Sequence, residues 1–146
     1  MKFRALIIAA AVSAGISLAA EHPSFSGTWM LEAAQSTGAP EWSSMTVAQK
    51  GHWFRMAQND KDGRMVRSFE GECQTDGRYH PVQGGQGGSI SCKWDGTVLV
   101  TEEHGTNDQT ERLIRTSMNP GGALVQDVHE AGPKGVKDLH LVWTRQ

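Results

Sequence analysis

The chain of 146 residues carries 14 basic and 16 acidic side chains, giving a net charge of −2 at neutral pH. This length predicts one domain. The slightly acidic balance excludes the strongly basic surface typical of proteins that bind nucleic acids or anionic membranes.

The first segment, residues 1–20, has the layout of a signal peptide. A short basic start is followed by an Ala-rich apolar run that is too short to span a bilayer. The small residues Ser17 and Ala19 predict cleavage after Ala19 or Ala20. We therefore expect a periplasmic or secreted protein.

The mature domain is expected to cover residues 21–146. Loss of Lys2 and Arg4 reduces the 14 basic residues to 12, against 16 acidic ones, so the mature net charge is −4. No second apolar run is long enough to cross a membrane, and we expect no nucleic-acid partner. The sequence leaves the oligomeric state open.

The alternation of apolar and polar residues predicts an all-β domain, because no window keeps a helical period over three turns. The 17 glycines and frequent turn signals separate short segments. Residues 73–88 have no regular pattern, and the Gly-rich tract at 83–88 suits a rim loop, a lid or a flexible linker. We predict strands over residues 25–32, 43–49, 52–58, 64–72, 89–94, 97–103, 109–117, 123–130 and 137–145. This pattern indicates an antiparallel up-and-down β-barrel of about eight or nine strands.

The pair Cys73 and Cys92 lies within this domain, and the chain has no other cysteine. An even pair in an exported protein predicts one disulfide, which would close a loop of about 20 residues. Two free thiols or a metal-binding pair are the alternatives.

The turns at residues 94–97 and 119–122 assign the strand faces. We expect the ligand-facing inner wall to include a polar pair, Arg115 and Gln126, beside Trp143. Arg115 would meet either a protein carboxylate or the polar group of a ligand. The apolar lining is predicted to include Val98, Val100, Leu113, Leu124, Val128, Leu139 and Leu141, with Arg145 at one end. Cys92 falls on the outer face with Ile90 and Leu99, which requires a bulge or another register.

The motif Gly27-Thr28-Trp29, just after the signal peptide, resembles the Gly-X-Trp signature of lipocalins and other calycin barrels. The resemblance implies that Gly27 admits the chain at a crowded corner, that Trp29 closes the barrel floor and that Arg145 packs over its ring. The chain is also similar to small exported bacterial lipocalin-like proteins at Phe25–Leu31 with Ser36, Met45–Gln49, Trp94–Val100 and Trp143–Gln146. This similarity implies a calycin-type barrel that binds a small hydrophobic or amphipathic ligand.

Groups that suggest catalysis or metal binding are few. His129 and His140 are expected opposite each other on the outer wall, near Asp127 and Arg112, as a solvated pair or a metal site. The solvated pair is favoured, because no facing carboxylates or nucleophile elbow accompany them. We therefore predict no catalytic residues, no metal and no cofactor, although an enzyme with an inward His or carboxylate pair is a third possibility. The main alternative is a cell-envelope interaction or structural module with a filled barrel and with Trp42, Trp53 and Phe54 as contact residues.

Overall fold

The computed structural model describes residues 22–38, 42–82, 87–105 and 110–146, except for the side chains of residues 66–72. The predicted signal peptide, residues 1–20, lies outside the described residues. The described chain contains strands and no helix. The strands are β1 (Gly27–Leu31), β2 (Ser44–Lys50), β3 (Trp53–Asn59), β4 (Met65–Gln74), β5 (Tyr79–Pro81), β6 (Ser89–Asp95), β7 (Val98–His104), β8 (Glu111–Met118), β9 (Leu124–Gly132) and β10 (Gly135–Arg145).

The strands form one antiparallel sheet that curves round on itself. Its order is β4-β3-β2-β1-β10-β9-β8-β7-β6-β5, so the first strand pairs with the last. The two ends of the sheet meet at a seam, where Cys73 of β4 and Cys92 of β6 form a disulfide with a Cα–Cα distance of 5.8 Å. The predicted all-β antiparallel barrel is therefore confirmed as a nearly closed one.

The strand count differs from the expected eight or nine because β5 is an additional strand. It pairs Tyr79 with Ser91 and Pro81 with Ser89, inside the stretch that the sequence marked as irregular. A strand of three residues that ends in proline is too short to show an alternating pattern. Within the Gly-rich tract of the following loop, residues 83–86 lie outside the described residues.

The interior is filled by side chains that alternate along each strand. Five of the largest are wholly inaccessible to solvent: Trp29, Met45, Leu124, Leu141 and Trp143. Burial of such side chains stabilises a fold by about 1.5–3 kcal/mol each before entropy is counted. The apolar face of this meander therefore supplies the core around which the barrel closes.

The register between β8 and β9 differs from the one that the sequence predicted. Met118 lies opposite Leu124, so the connecting loop contains residues 119–123 rather than 119–122. The loop is closed because the Asn119 N–H donates to the Ala123 carbonyl and the Ala123 N–H donates to Asn119 Oδ1, both at 2.9 Å. One additional loop residue turns every side chain of β8 to the other face.

The side chains of β7 are turned to the other face together with those of β8, because Leu99 is opposite Thr116 and Thr101 is opposite Ile114. The expected inward placement of Val98, Val100, Leu113 and Arg115 is therefore wrong, whereas the expected inward placement of residues on β9 and β10 holds. Cys92, expected on the outer face with Ile90 and Leu99, belongs to the core with both of them. The seam disulfide therefore needs no bulge at this position.

Candidate functional site

One end of the barrel, which we call the floor, is closed by Trp29 and Arg145. The Arg145 guanidinium carbon lies 4.5 Å from the centre of the Trp29 ring, and its Nη1 donates to the Ser26 carbonyl at 2.9 Å. The indole N–H of Trp29 donates to the Phe25 carbonyl at 2.9 Å. A Cβ at Gly27 would lie 3.2 Å from Arg145 Nη1, so the guanidinium occupies the space that a side chain there would need. The structure thus brings together the three residues assigned to the floor.

The chain before β1 seals the same end from below. Phe25 is 1% exposed, and the ring of Trp94 lies 5.6 Å from that of Phe25 and 5.9 Å from that of Phe54. The His22 ring stacks on Trp94 with a centroid distance of 4.3 Å. Because the floor is sealed by aromatic rings, a molecule would enter the barrel from the opposite end.

The middle of the inner wall combines apolar side chains with neutral polar ones. Of the predicted lining residues, Gln126 lies opposite Leu141, and Val128 and Trp143 belong to the same inner faces of β9 and β10. The Gln126 amide donates to Thr116 Oγ1 at 3.3 Å, and Gln126 and Thr116 are both 2% exposed. These groups supply hydrogen bonds without net charge.

Two further polar groups of this wall have no hydrogen-bond partner among the described residues. They are the indole Nε1 of Trp143 and the amide Oε1 of Gln58, in side chains that are 0% and 5% exposed. The nearest polar contact of the Gln58 amide nitrogen is the sulfur of Met45, at 4.0 Å. Buried polar groups are nearly always hydrogen-bonded. These two are therefore exceptions among the buried polar groups of the described barrel.

The end opposite the floor, which we call the rim, carries a row of alternating charges. Glu103, Arg112, Glu130 and Lys137 lie opposite one another in turn across β7, β8, β9 and β10. Arg112 Nη1 donates to Glu103 at 3.1 Å, while its Nε donates to Glu130 at 2.7 Å and its Nη2 also contacts Glu130. Sequence reasoning missed this row because its register placed Arg112 outside. Counting the loop between β8 and β9 as five residues would have revealed it.

The predicted ligand-orienting residue Arg115 lies on the outer wall. Its Nη2 donates to Asp95 at 3.0 Å, and its side chain is 46% exposed. Leu113 is also on this wall and 38% exposed, whereas Val100 is buried on the outer side, apart from the main core cluster. The structure therefore separates Arg115, Leu113 and Val100 from the interior group formed by Gln126, Trp143, Val128 and Leu141.

The two histidines of the last hairpin each pair with an aspartate rather than with each other. His129 Nδ1 lies 2.6 Å from Asp138, and His140 Nδ1 lies 2.6 Å from Asp127. Together with Arg115 and Leu113 they line a shallow outer groove of about 290 Å³. Among the described residues, no three His, Cys, Asp or Glu side chains are grouped so that they would hold a metal ion.

A second polar cluster lies on the outer wall near the rim. The Tyr79 hydroxyl donates to Glu102 at 2.6 Å, and His104 Nε2 lies 3.0 Å from the Tyr79 oxygen. The hydrogen bond raises the pKa of Tyr79 and lowers that of Glu102, because it favours the neutral phenol beside the ionised carboxylate. Because this cluster is exposed to solvent, we assign it a structural role.

Comparisons with known proteins were made on both sequence and structure. No protein-family model matches the sequence, and no curated protein matches it. In the part of the chain that the structure describes, no helix meets the length and hydropathy of a membrane span. The fold resembles that of zebrafish ileal bile acid-binding protein, crystallised with cholic acid, with a TM-score of 0.58 and 15% identity over 84% of this chain and 98% of that one. The chain therefore shares the antiparallel barrel fold of that protein.

Proposed function

We propose that the protein is an exported lipocalin-like barrel that binds a small, mostly apolar or amphipathic molecule in its interior. The observation that carries the proposal is the composition of the inner wall. Above a floor sealed by Trp29, apolar side chains alternate with a few buried neutral polar groups. Sites for small molecules usually have this composition. The cholic acid bound by a protein of the same fold supports the proposal as a fold-level analogy.

Export is supported by two independent features. Residues 1–20 have the basic, apolar and small-residue segments of a signal peptide. The disulfide between Cys73 and Cys92 is of the kind that persists in oxidising compartments. The proposed location is therefore the periplasm or the exterior of the cell, and N-terminal sequencing of the mature protein tests cleavage after Ala19 or Ala20.

A second candidate function follows from how fully the lower barrel is packed. Trp29 and Phe25 are at most 1% exposed, so the floor end of the barrel is packed. A barrel filled to the rim would serve as an interaction or structural module of the cell envelope. Trp42 and Trp53 are half-buried and stay candidate contacts, whereas Phe54 is 3% exposed and belongs to the core.

The test of binding uses protein that has been denatured, freed of carried-over lipid and refolded. Titration with the neutral fluorescent probe N-phenyl-1-naphthylamine should give saturable binding. Native mass spectrometry of protein purified from its own host should also show a retained ligand as added mass. Absence of both signals would contradict ligand binding and favour the filled barrel.

Matched variants locate the site. Val128→Trp places a large ring on the inner wall, where Val128 is 6% exposed, and should weaken probe binding more than about tenfold. Leu113→Trp makes the same kind of change on the neighbouring strand but outside, and should leave binding unchanged. Because Val128→Trp risks misfolding, circular dichroism and the milder inner variant Ile114→Phe accompany it. Equal effects of the inner and outer variants would place binding elsewhere.

A further inference from the structure

The chemistry of the ligand can be inferred from the polar groups that the barrel leaves unsatisfied. Trp143 Nε1 can only donate a hydrogen bond, and the Gln58 carbonyl oxygen can only accept one. Both atoms are buried on inner-wall side chains and have no partner among the described residues. The Gln58 amide is oriented with its nitrogen toward the Met45 sulfur, at 4.0 Å. A thioether sulfur can only accept a hydrogen bond, so this orientation leaves the carbonyl oxygen as the atom without a partner.

The described charges of the interior are already neutralised by one another. The Arg112 guanidinium donates to Glu103 through Nη1 and to Glu130 through Nε and Nη2. Lys137 lies opposite Glu130 at the rim and completes an alternating row. A ligand carboxylate would have to displace a protein carboxylate to reach this guanidinium, and an unpaired buried carboxylate is strongly disfavoured.

From these two features we infer that the ligand is uncharged and bears a group that both donates and accepts hydrogen bonds, such as a hydroxyl or a primary amide. This inference rests on the proposed ligand-binding function. A hydroxyl can fill either role, because its oxygen can accept from the Trp143 N–H and its hydrogen can be donated to the Gln58 carbonyl. A carboxylate can only accept and an ammonium can only donate, so neither satisfies both groups.

If the inference is correct, the barrel discriminates between amphiphiles that share one hydrocarbon chain and differ only in the head group. Dodecanol, dodecanoate and dodecylamine differ in this respect alone. Displacement of bound N-phenyl-1-naphthylamine by each, at neutral pH and below its micelle concentration, measures the selection. We expect dodecanol to bind at least about tenfold more tightly than either ion, a difference of about 1.4 kcal/mol.

Four variants separate the hydrogen bonds from the effects of cavity shape and of nearby charge. Trp143→Phe removes the N–H, and Gln58→Leu removes the amide, so each should shrink the preference for dodecanol by severalfold while probe binding persists. Arg115→Gln changes a charge on the outer wall and should leave the preference intact. Arg67→Gln is included because Arg67 lies opposite Gln58 in the backbone register.

The outcomes differ clearly. Tighter binding of dodecanoate by the parent protein would overturn the inference, and loss of that binding in Arg67→Gln would then locate the anion site on β4. A preference for dodecanol that survives both Trp143→Phe and Gln58→Leu would also overturn it. Failure of the probe and of all three amphiphiles to bind would instead refute the proposed function, and the inference with it.

Discussion

The contact of Gly27 with Arg145 provides a direct test of how the floor is built. We predict that Gly27→Ala destabilises the protein by about 1.5–5 kcal/mol. Its φ of +144° lies where side-chain-bearing residues are rarely found, which costs about 1–3 kcal/mol. The added methyl carbon would also lie 3.2 Å from Arg145 Nη1 and 3.6 Å from its Cζ. Displacement of the guanidinium from the Trp29 ring forfeits about 0.5–2 kcal/mol more.

The assay is urea unfolding followed by circular dichroism, and Gly63→Ala is the control. Gly63 has a φ of +75°, but a Cβ added there would meet no atom within 4 Å, so its substitution reports backbone strain alone. A double-mutant cycle with Arg145→Ala then isolates the crowding, because the clash is absent once the guanidinium is removed. The reasoning would be refuted if Gly27→Ala cost no more than Gly63→Ala and added to Arg145→Ala without coupling.

Three further predictions concern the seam, the rim and the outer wall. Replacing Cys73 and Cys92 with Ala should lower the free energy of unfolding by roughly 3 kcal/mol, read from urea midpoints, because the bond closes a loop with a sequence separation of 19. Arg112→Met should cost about 3 kcal/mol at neutral pH and less in acid, since it removes the cation that lies between two carboxylates, whose repulsion is relieved when they are protonated. The pKa of Glu102 is lowered from its ordinary value of 4.5, chiefly by the hydrogen bond from Tyr79. The ionised carboxylate therefore contributes stability that is fully present above pH 4.5 and is lost as the pH falls through the lowered pKa. Glu102→Gln and Tyr79→Phe should each remove this dependence of stability on pH, as measured by thermal melts at a series of acidic pH values. The loss of stability should be less than about 1 kcal/mol, because the pair is exposed.

The features that could be predicted from sequence are those set by local chemistry. Alternating apolar residues between Gly- and Asn-rich turns indicate an antiparallel meander, and an even cysteine pair indicates a disulfide. The short strand β5 was not predicted, because three residues are too few to show an alternation of apolar and polar side chains. The pairing of His129 with Asp138 was not predicted either, because the partner across a hairpin depends on the exact register, which composition does not reveal.

The main error came from the loop at residues 119–123, and it changes the chemistry assigned to the interior. A four-residue loop places Arg115 inside and provides a cation for a ligand carboxylate. The five-residue loop, held by Asn119, instead turns Thr116 inward to meet Gln126 and brings Arg112 between two glutamates. Side chains alternate with a period of two, so an odd change in loop length exchanges whole faces, whereas an even change moves them only along the barrel. The proposed selectivity of the inner wall for neutral over charged molecules therefore depends on a turn that lies outside it.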